Sequence, residues 1–164
     1  MTKRTKEEAL AIFQKFDTDH SGTIEAREFS KGMMEILGIK EDDMTNGYRF
    51  FLNTLFKVSD QSGFFKSKDN KLDLKEMTKV LAAVPDPLYN DPLKNIAKII
   101  FTLLDTNKSG DISKREFKKY AEAACMTEKL MEKKIKEIDD NDNGKIEFDE
   151  FSQWIASTYQ RINF

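Results

Sequence analysis

A single cysteine, Cys125, and a single histidine, His20, stand in a chain of 164 residues. No internal disulfide is open to one thiol, and without a second His or a partner Cys a nucleophilic dyad has no base. Catalytic residues are therefore not expected, and the cysteine usage favours a reducing cytoplasm. No stretch approaches the roughly 20 apolar residues of a membrane span. The opening MTKRTKEEAL has no apolar signal segment, and Thr2 stands where N-myristoylation needs glycine, so a soluble, unlipidated chain without stable membrane insertion is expected. Charge of one sign is also missing, since 27 basic and 29 acidic residues leave a formal charge of −2, which gives no nucleic-acid footprint. Proline and glycine are few, at 3 and 7, so extended or turn-rich architectures are disfavoured.

What is present is phenylalanine, 13 in all, with 39% hydrophobic and 34% charged residues. That mix suits helices meeting over an aromatic core, and the chain is read as all-α. Apolar residues recur at three- and four-residue spacing, as in Leu10, Phe13 and Phe16, and in Ile135 and Ile138. Helices are predicted over 4–16, 26–37, 44–58, 74–83, 93–104, 114–124, 128–138 and 148–160. All three prolines lie in the segment 85–92, which cannot continue a helix and divides the chain into an N-terminal half, 1–84, and a C-terminal half, 93–164.

The decisive feature is internal repetition: an acidic turn with a glycine and an aliphatic residue, set between helices, recurs. Asp17 to Glu28, Asp105 to Glu116 and Asp139 to Glu150 are each 12 residues long. Calcium takes six to eight oxygens, so a short loop must turn sharply while offering oxygen at alternate positions. In the first loop the ligands are Asp17, Asp19, Ser21, the carbonyl of Thr23 and the closing Glu28, with Glu25 direct or through water and Gly22 at the turn. In the second of the three they are Asp105, Asn107, Ser109, the carbonyl of Asp111 and Glu116, with Gly110 at the turn and Ser113 ninth. In the last they are Asp139, Asn141, Asn143, the carbonyl of Lys145 and Glu150, with Gly144 at the turn and Glu147 ninth. Three bound calcium ions follow as an expectation. Counting acids at coordinating positions ranks loop one first, the Asp139 loop next and the Asp105 loop last.

A degenerate copy lies between the first and second of these. The closing glutamates are followed by Phe29, Phe117 and Phe151, and Glu76 followed by Met77 repeats the pattern. Counting back from Glu76 puts Leu72 level with Ile24, Ile112 and Ile146, but puts Phe65, Ser67 and Asn70 at positions one, three and six. The better reading starts the loop at Asp60-Gln61-Ser62-Gly63 and treats Phe64 to Asp69 as excess length that spoils the ligand geometry. Asp73-Leu74-Lys75-Glu76 also reads as a helix N-cap with a carboxylate three residues on, against a lesser reading of weak metal binding. Leu72 is expected to pair its backbone with Ile24, as Ile146 does with Ile112.

These loops make the chain resemble EF-hand proteins of the calmodulin superfamily. Three live loops, a dead second one and a proline-bearing linker resemble the sarcoplasmic calcium-binding proteins and calexcitin. The resemblance implies four helix-loop-helix units in two pairs packed compactly, short β-ribbons between paired loops, and a monomeric cytosolic buffer binding calcium and, in some sites, magnesium. Two alternatives stay open: a sensor exposing an apolar groove to a protein target, and a relative of the luciferin-binding photoproteins.

Other signals have plainer readings. His20 sits fourth in its loop and is expected to face solvent. Asn107-Lys108-Ser109 matches a glycosylation acceptor but lies inside a metal loop. Lysines around 114–119 and 129–136 alternate with glutamates, as on solvated helix faces. Trp154 is expected in the core or a groove, and the Met33–Met34 pair suits either.

Overall fold

The computed structural model describes residues 5–60 and 70–163. Among the described residues eight α-helices run in chain order: α1 (Lys6–Phe16), α2 (Ala26–Leu37), α3 (Asn46–Asp60), α4 (Leu74–Ala83), α5 (Pro92–Leu104), α6 (Lys114–Ala123), α7 (Glu128–Ile138) and α8 (Phe148–Asn163). A 3-10 turn spans Glu41–Asp43, and two short strands, β1 (Asp111–Ile112) and β2 (Ile146–Glu147), complete the described elements. The helices start where side chains can satisfy their first N–H groups. Thr5, Asp73 and Ser113 accept from the third helical residue while Glu8, Glu76 and Glu116 reach back to the cap. Pro92 opens α5 at its first turn behind the cap Asp91, where a missing N–H costs nothing. The expected α3, 44–58, is two residues early and the expected α8, 148–160, three residues short; α3 runs Asn46–Asp60, and α8 runs on to Asn163.

The loops pair as the aliphatic eighth positions require. Ile112 faces Ile146 across the antiparallel β1–β2 ribbon. Ile24 and Leu72 form one antiparallel bridge, exchanging both N–H···O bonds at 2.8 Å. All four side chains are buried, and the ribbons carry them into the core.

One hydrophobic core runs through both halves of the chain. Its middle is α3 and α5, helices with most of their residues buried, which lie against each other, and α8 packs on both. From the N-terminal half, α3 also reaches α6, and α4 packs on α5. Phe29, Phe51, Phe117 and Phe151 are completely buried, each contributing roughly 1.5–3 kcal/mol of transfer free energy. Phe117, Tyr120, Phe151 and Trp154 form a cluster with ring centroids 5.3–6.1 Å apart. The buried amide of Asn95 ties down the connection before α5: it accepts the Tyr89 N–H at 2.8 Å and donates to the Tyr89 carbonyl at 3.0 Å. No helix among the described residues is long and apolar enough to cross a membrane.

Candidate metal centres

Each of the three complete loops is closed by the same set of hydrogen bonds, so the chain builds one device three times. The first aspartate enters at the end of a helix and turns both oxygens inward. Oδ2 of Asp17, Asp105 and Asp139 accepts the N–H of Gly22, Gly110 and Gly144 at 2.8, 2.9 and 2.8 Å. Oδ1 accepts the fifth-position N–H of Ser21, Ser109 and Asn143 at 3.0, 3.0 and 3.2 Å. These contacts require a left-handed turn at the sixth position, and the glycines take φ of 86°, 89° and 78°. The fourth position is left-handed as well, at His20, Lys108 and Asp142, which points those side chains away from the loop centre; His20 is exposed, as expected.

The closing glutamates come from the first turn of the outgoing helices. Oε1 of Glu28, Glu116 and Glu150 accepts the ninth-position N–H of Glu25, Ser113 and Glu147 at 3.0, 3.0 and 2.9 Å. Oε2 reaches across to the third-position N–H of Asp19, Asn107 and Asn141 at 3.3, 3.5 and 3.3 Å. Each glutamate thus spans its loop with both oxygens, the posture needed for bidentate closure. Burial works to raise the Glu28 carboxyl, yet the N–H groups of Glu25 and Asp19 and the Thr18 hydroxyl outweigh it and hold the group below its usual range.

The donor set fits a hard cation. In loop one, carboxylate oxygens of Asp17, Asp19 and Glu28 lie within 4.8 Å of one another. Ser21 Oγ sits 2.9 Å from the Thr23 carbonyl, so hydroxyl and carbonyl ligands meet on the same side. In the Asp105 loop Ser109 Oγ is 3.0 Å from the Asp111 carbonyl, and Asp111 also reaches Lys145 across the ribbon at 3.8 Å. Ser113 there caps α6, its hydroxyl oxygen accepting the Glu116 N–H at 3.2 Å. In the Asp139 loop the amides of Asn141 and Asn143 draw Glu147 inward at 3.3 and 3.1 Å.

The degenerate copy is half intact. Asp60 Oδ2 accepts the Asn70 N–H at 3.0 Å, the bond that elsewhere joins the first and sixth positions. Asn70 has φ of 60°, so it makes the glycine's turn. Glu76 accepts the Asp73 N–H at 3.0 Å as the live glutamates do, and Asp73 caps α4. Counting back from Glu76 puts Asn70 in the sixth place beside an ill-suited Phe65 and Ser67, whereas the preferred reading starts the loop at Asp60. The two readings join: Asp60 stands first, Asn70 sixth and Glu76 last, with nine residues between Asp60 and Asn70 where the live loops have four. The remainder of that expectation, Gln61 to Asp69, lies outside the described residues.

The profile described as "EF-hand domain pair" matches residues 94–156, and that described as "EF hand domain" matches residues 8–36. "Probable calcium-binding protein CML13" of Oryza sativa subsp. japonica is 28% identical over 160 residues, 96% of this chain and 86% of that protein. "Calbindin-32" of Drosophila melanogaster is 29% identical over 125 residues, 68% of this chain but 37% of that protein, so the chain spans little more than a third of its length. Among solved structures, "Calcium-loaded apo-aequorin from Aequorea victoria" aligns with a TM-score of 0.41 and 17% identity, covering 92% of this chain and 87% of that one.

Proposed function

Because the chain belongs to the EF-hand proteins of the calmodulin superfamily and binds calcium through such units, we propose that it works as a cytosolic calcium buffer. The Asp17, Asp105 and Asp139 loops each take one ion, with magnesium competing where acids are fewer, and the Asp60–Glu76 copy takes none. Bound calcium supplies charge neutralisation and loop closure; no covalent chemistry is assigned to the chain.

The observation that carries the buffer reading is the continuous core. A sensor has to expose an apolar groove when calcium binds, usually one rich in methionine. Here α3 packs against α5, α6 and α8, and Met33 and Met77 are completely buried. The faces a target helix would need are filled by the other half of the same chain. One observation favours the sensor reading: an open groove between α7 and α8 is lined in part by Trp154, whose buried indole N–H has no acceptor among the described residues.

Isothermal titration decides the stoichiometry, with three calcium ions per chain expected. A hydrophobic dye titrated with the apo and loaded forms, alongside small-angle scattering, decides between the functions. A compact monomer with little calcium-dependent dye signal supports the buffer, whereas a large dye response or a two-lobed shape supports the sensor.

A further inference from the structure

We propose that α8 is a calcium-driven latch, whose last turn clasps the N-terminus of α3 and is held there by occupancy of the loop that Glu150 closes. The proposal rests on calcium binding at that loop.

Three contacts join α8 to the start of α3, and a fourth, within that start, braces it. Asn163 Oδ1 accepts the Gly47 N–H at 3.0 Å. The Tyr159 hydroxyl and Thr45 Oγ1 are 2.9 Å apart, and that same Thr45 oxygen accepts the Tyr48 N–H at 3.2 Å. The Tyr48 and Tyr159 rings lie with centroids 5.1 Å apart. Gly47 has no side chain for a steric reason, since a Cβ there would come within 2.3 Å of the Tyr159 ring. The first N–H groups of a helix need acceptors from outside its own ladder. One of those acceptors for α3 is supplied from 116 residues away in sequence.

The connection to calcium is a rigid helix. Glu150 lies in the first turn of α8, and its carboxylate also accepts the Asp140 N–H at 2.8 Å, so its position is set by how the loop closes. At 1.5 Å per residue, Tyr159 and Asn163 follow roughly 14 and 20 Å further along the same axis. Between them Phe151, Trp154 and Ile155 are buried in the core, which makes the helix move as a body. The clasp coexists with a loop closed around its glutamate, so it belongs to the ion-ready state. Coupling is reciprocal: calcium at this loop tightens the clasp, and the clasp tightens calcium at this loop. This is a tightening within the compact molecule and leaves the two halves together.

The test uses the full chain and four variants, Tyr159→Phe, Asn163→Ala, Gly47→Ala and Glu150→Gln. Amide exchange at Gly47 and Tyr48 is followed with and without calcium, and emission of Trp154, the single tryptophan, is followed through a calcium titration. Calcium should slow the Gly47 and Tyr48 amides about tenfold in the parent chain and not in Glu150→Gln. Tyr159→Phe and Asn163→Ala should raise the half-saturating calcium of the tryptophan transition by roughly five-fold, within the usual range of coupling between sites. Gly47→Ala should do so more strongly, and Tyr159→Phe, which removes one oxygen only, keeps the test valid if Gly47→Ala does not fold. Amide exchange that ignores calcium, or variants that lose thermal stability with an unchanged calcium midpoint, would make the clasp structural and overturn the latch alone. A parent chain that binds no calcium at the Asp139 loop in isothermal titration would overturn the latch and the three-ion reading together.

Discussion

At the scale of single residues, the closing glutamates and the left-handed positions govern the loops. Glu28→Gln, Glu116→Gln and Glu150→Gln should each remove one high-occupancy ion, read by isothermal titration, because a neutral amide cannot offer two equivalent anionic oxygens. Asn70 gives a second prediction: Asn70→Gly should leave stability within a few tenths of a kcal/mol, whereas Asn70→Val should cost roughly 1–2 kcal/mol in urea unfolding, because a branched side chain resists positive φ. The live ligand positions were legible in the sequence because Asp, Gly and Glu at fixed offsets leave little freedom in a turn of that length. Asn70 was less legible, since an insertion hides spacing, and only the Asp60–Asn70 bond restores the alignment. A useful signal was already there: asparagine tolerates the left-handed turn better than other non-glycine residues.

At the scale of elements, the degenerate copy serves its neighbour. Leu72 bridges Ile24 and is completely buried, so Leu72→Ala should destabilise the fold by roughly 2–5 kcal/mol. It should also weaken calcium at the Asp17 loop, measured by titration, with the Asp105 and Asp139 loops little affected. The connection before α5 should also respond: Asn95→Ala removes both bonds to the exposed Tyr89 backbone and should cost roughly 0.5–1.5 kcal/mol per lost bond. Helix positions were readable almost to the residue because caps and apolar spacing agree, as at Asp73 with Glu76 and at Ser113 with Glu116. The end of α8 was not, because what fixes it is tertiary. Asn163 extends α8 to reach Gly47, and that contact has no local sequence signature.

At the scale of the whole molecule, burial couples stability to alkaline pH. Burial, then the neighbouring Tyr159 and Asp91, push the Tyr48 phenol up to about 12. Burial likewise raises Tyr120. A phenol whose folded pKa exceeds its unfolded value of about 10 contributes fully below pH 10 and loses that contribution as pH climbs through the folded value. The urea midpoint should therefore fall between about pH 10 and 12, and Tyr48→Phe should flatten part of that fall. A midpoint that is flat in the parent chain, or equally steep in the variant, would count against the Tyr48 contribution.

The placement of α8 across α3 and α5 also fixes how the molecule would respond to mechanical load. A pull on the C-terminal residues acts first on Asn163 and Tyr159, whose bonds to α3 would be strained one after another rather than sheared together. The rupture would then travel up α8 towards Trp154 and Phe151, and reach Glu150 last. A tethered chain would give way in two steps, a weak early one at the seam, whose force calcium raises by tightening the clasp, and a stronger one at the buried aromatic rings.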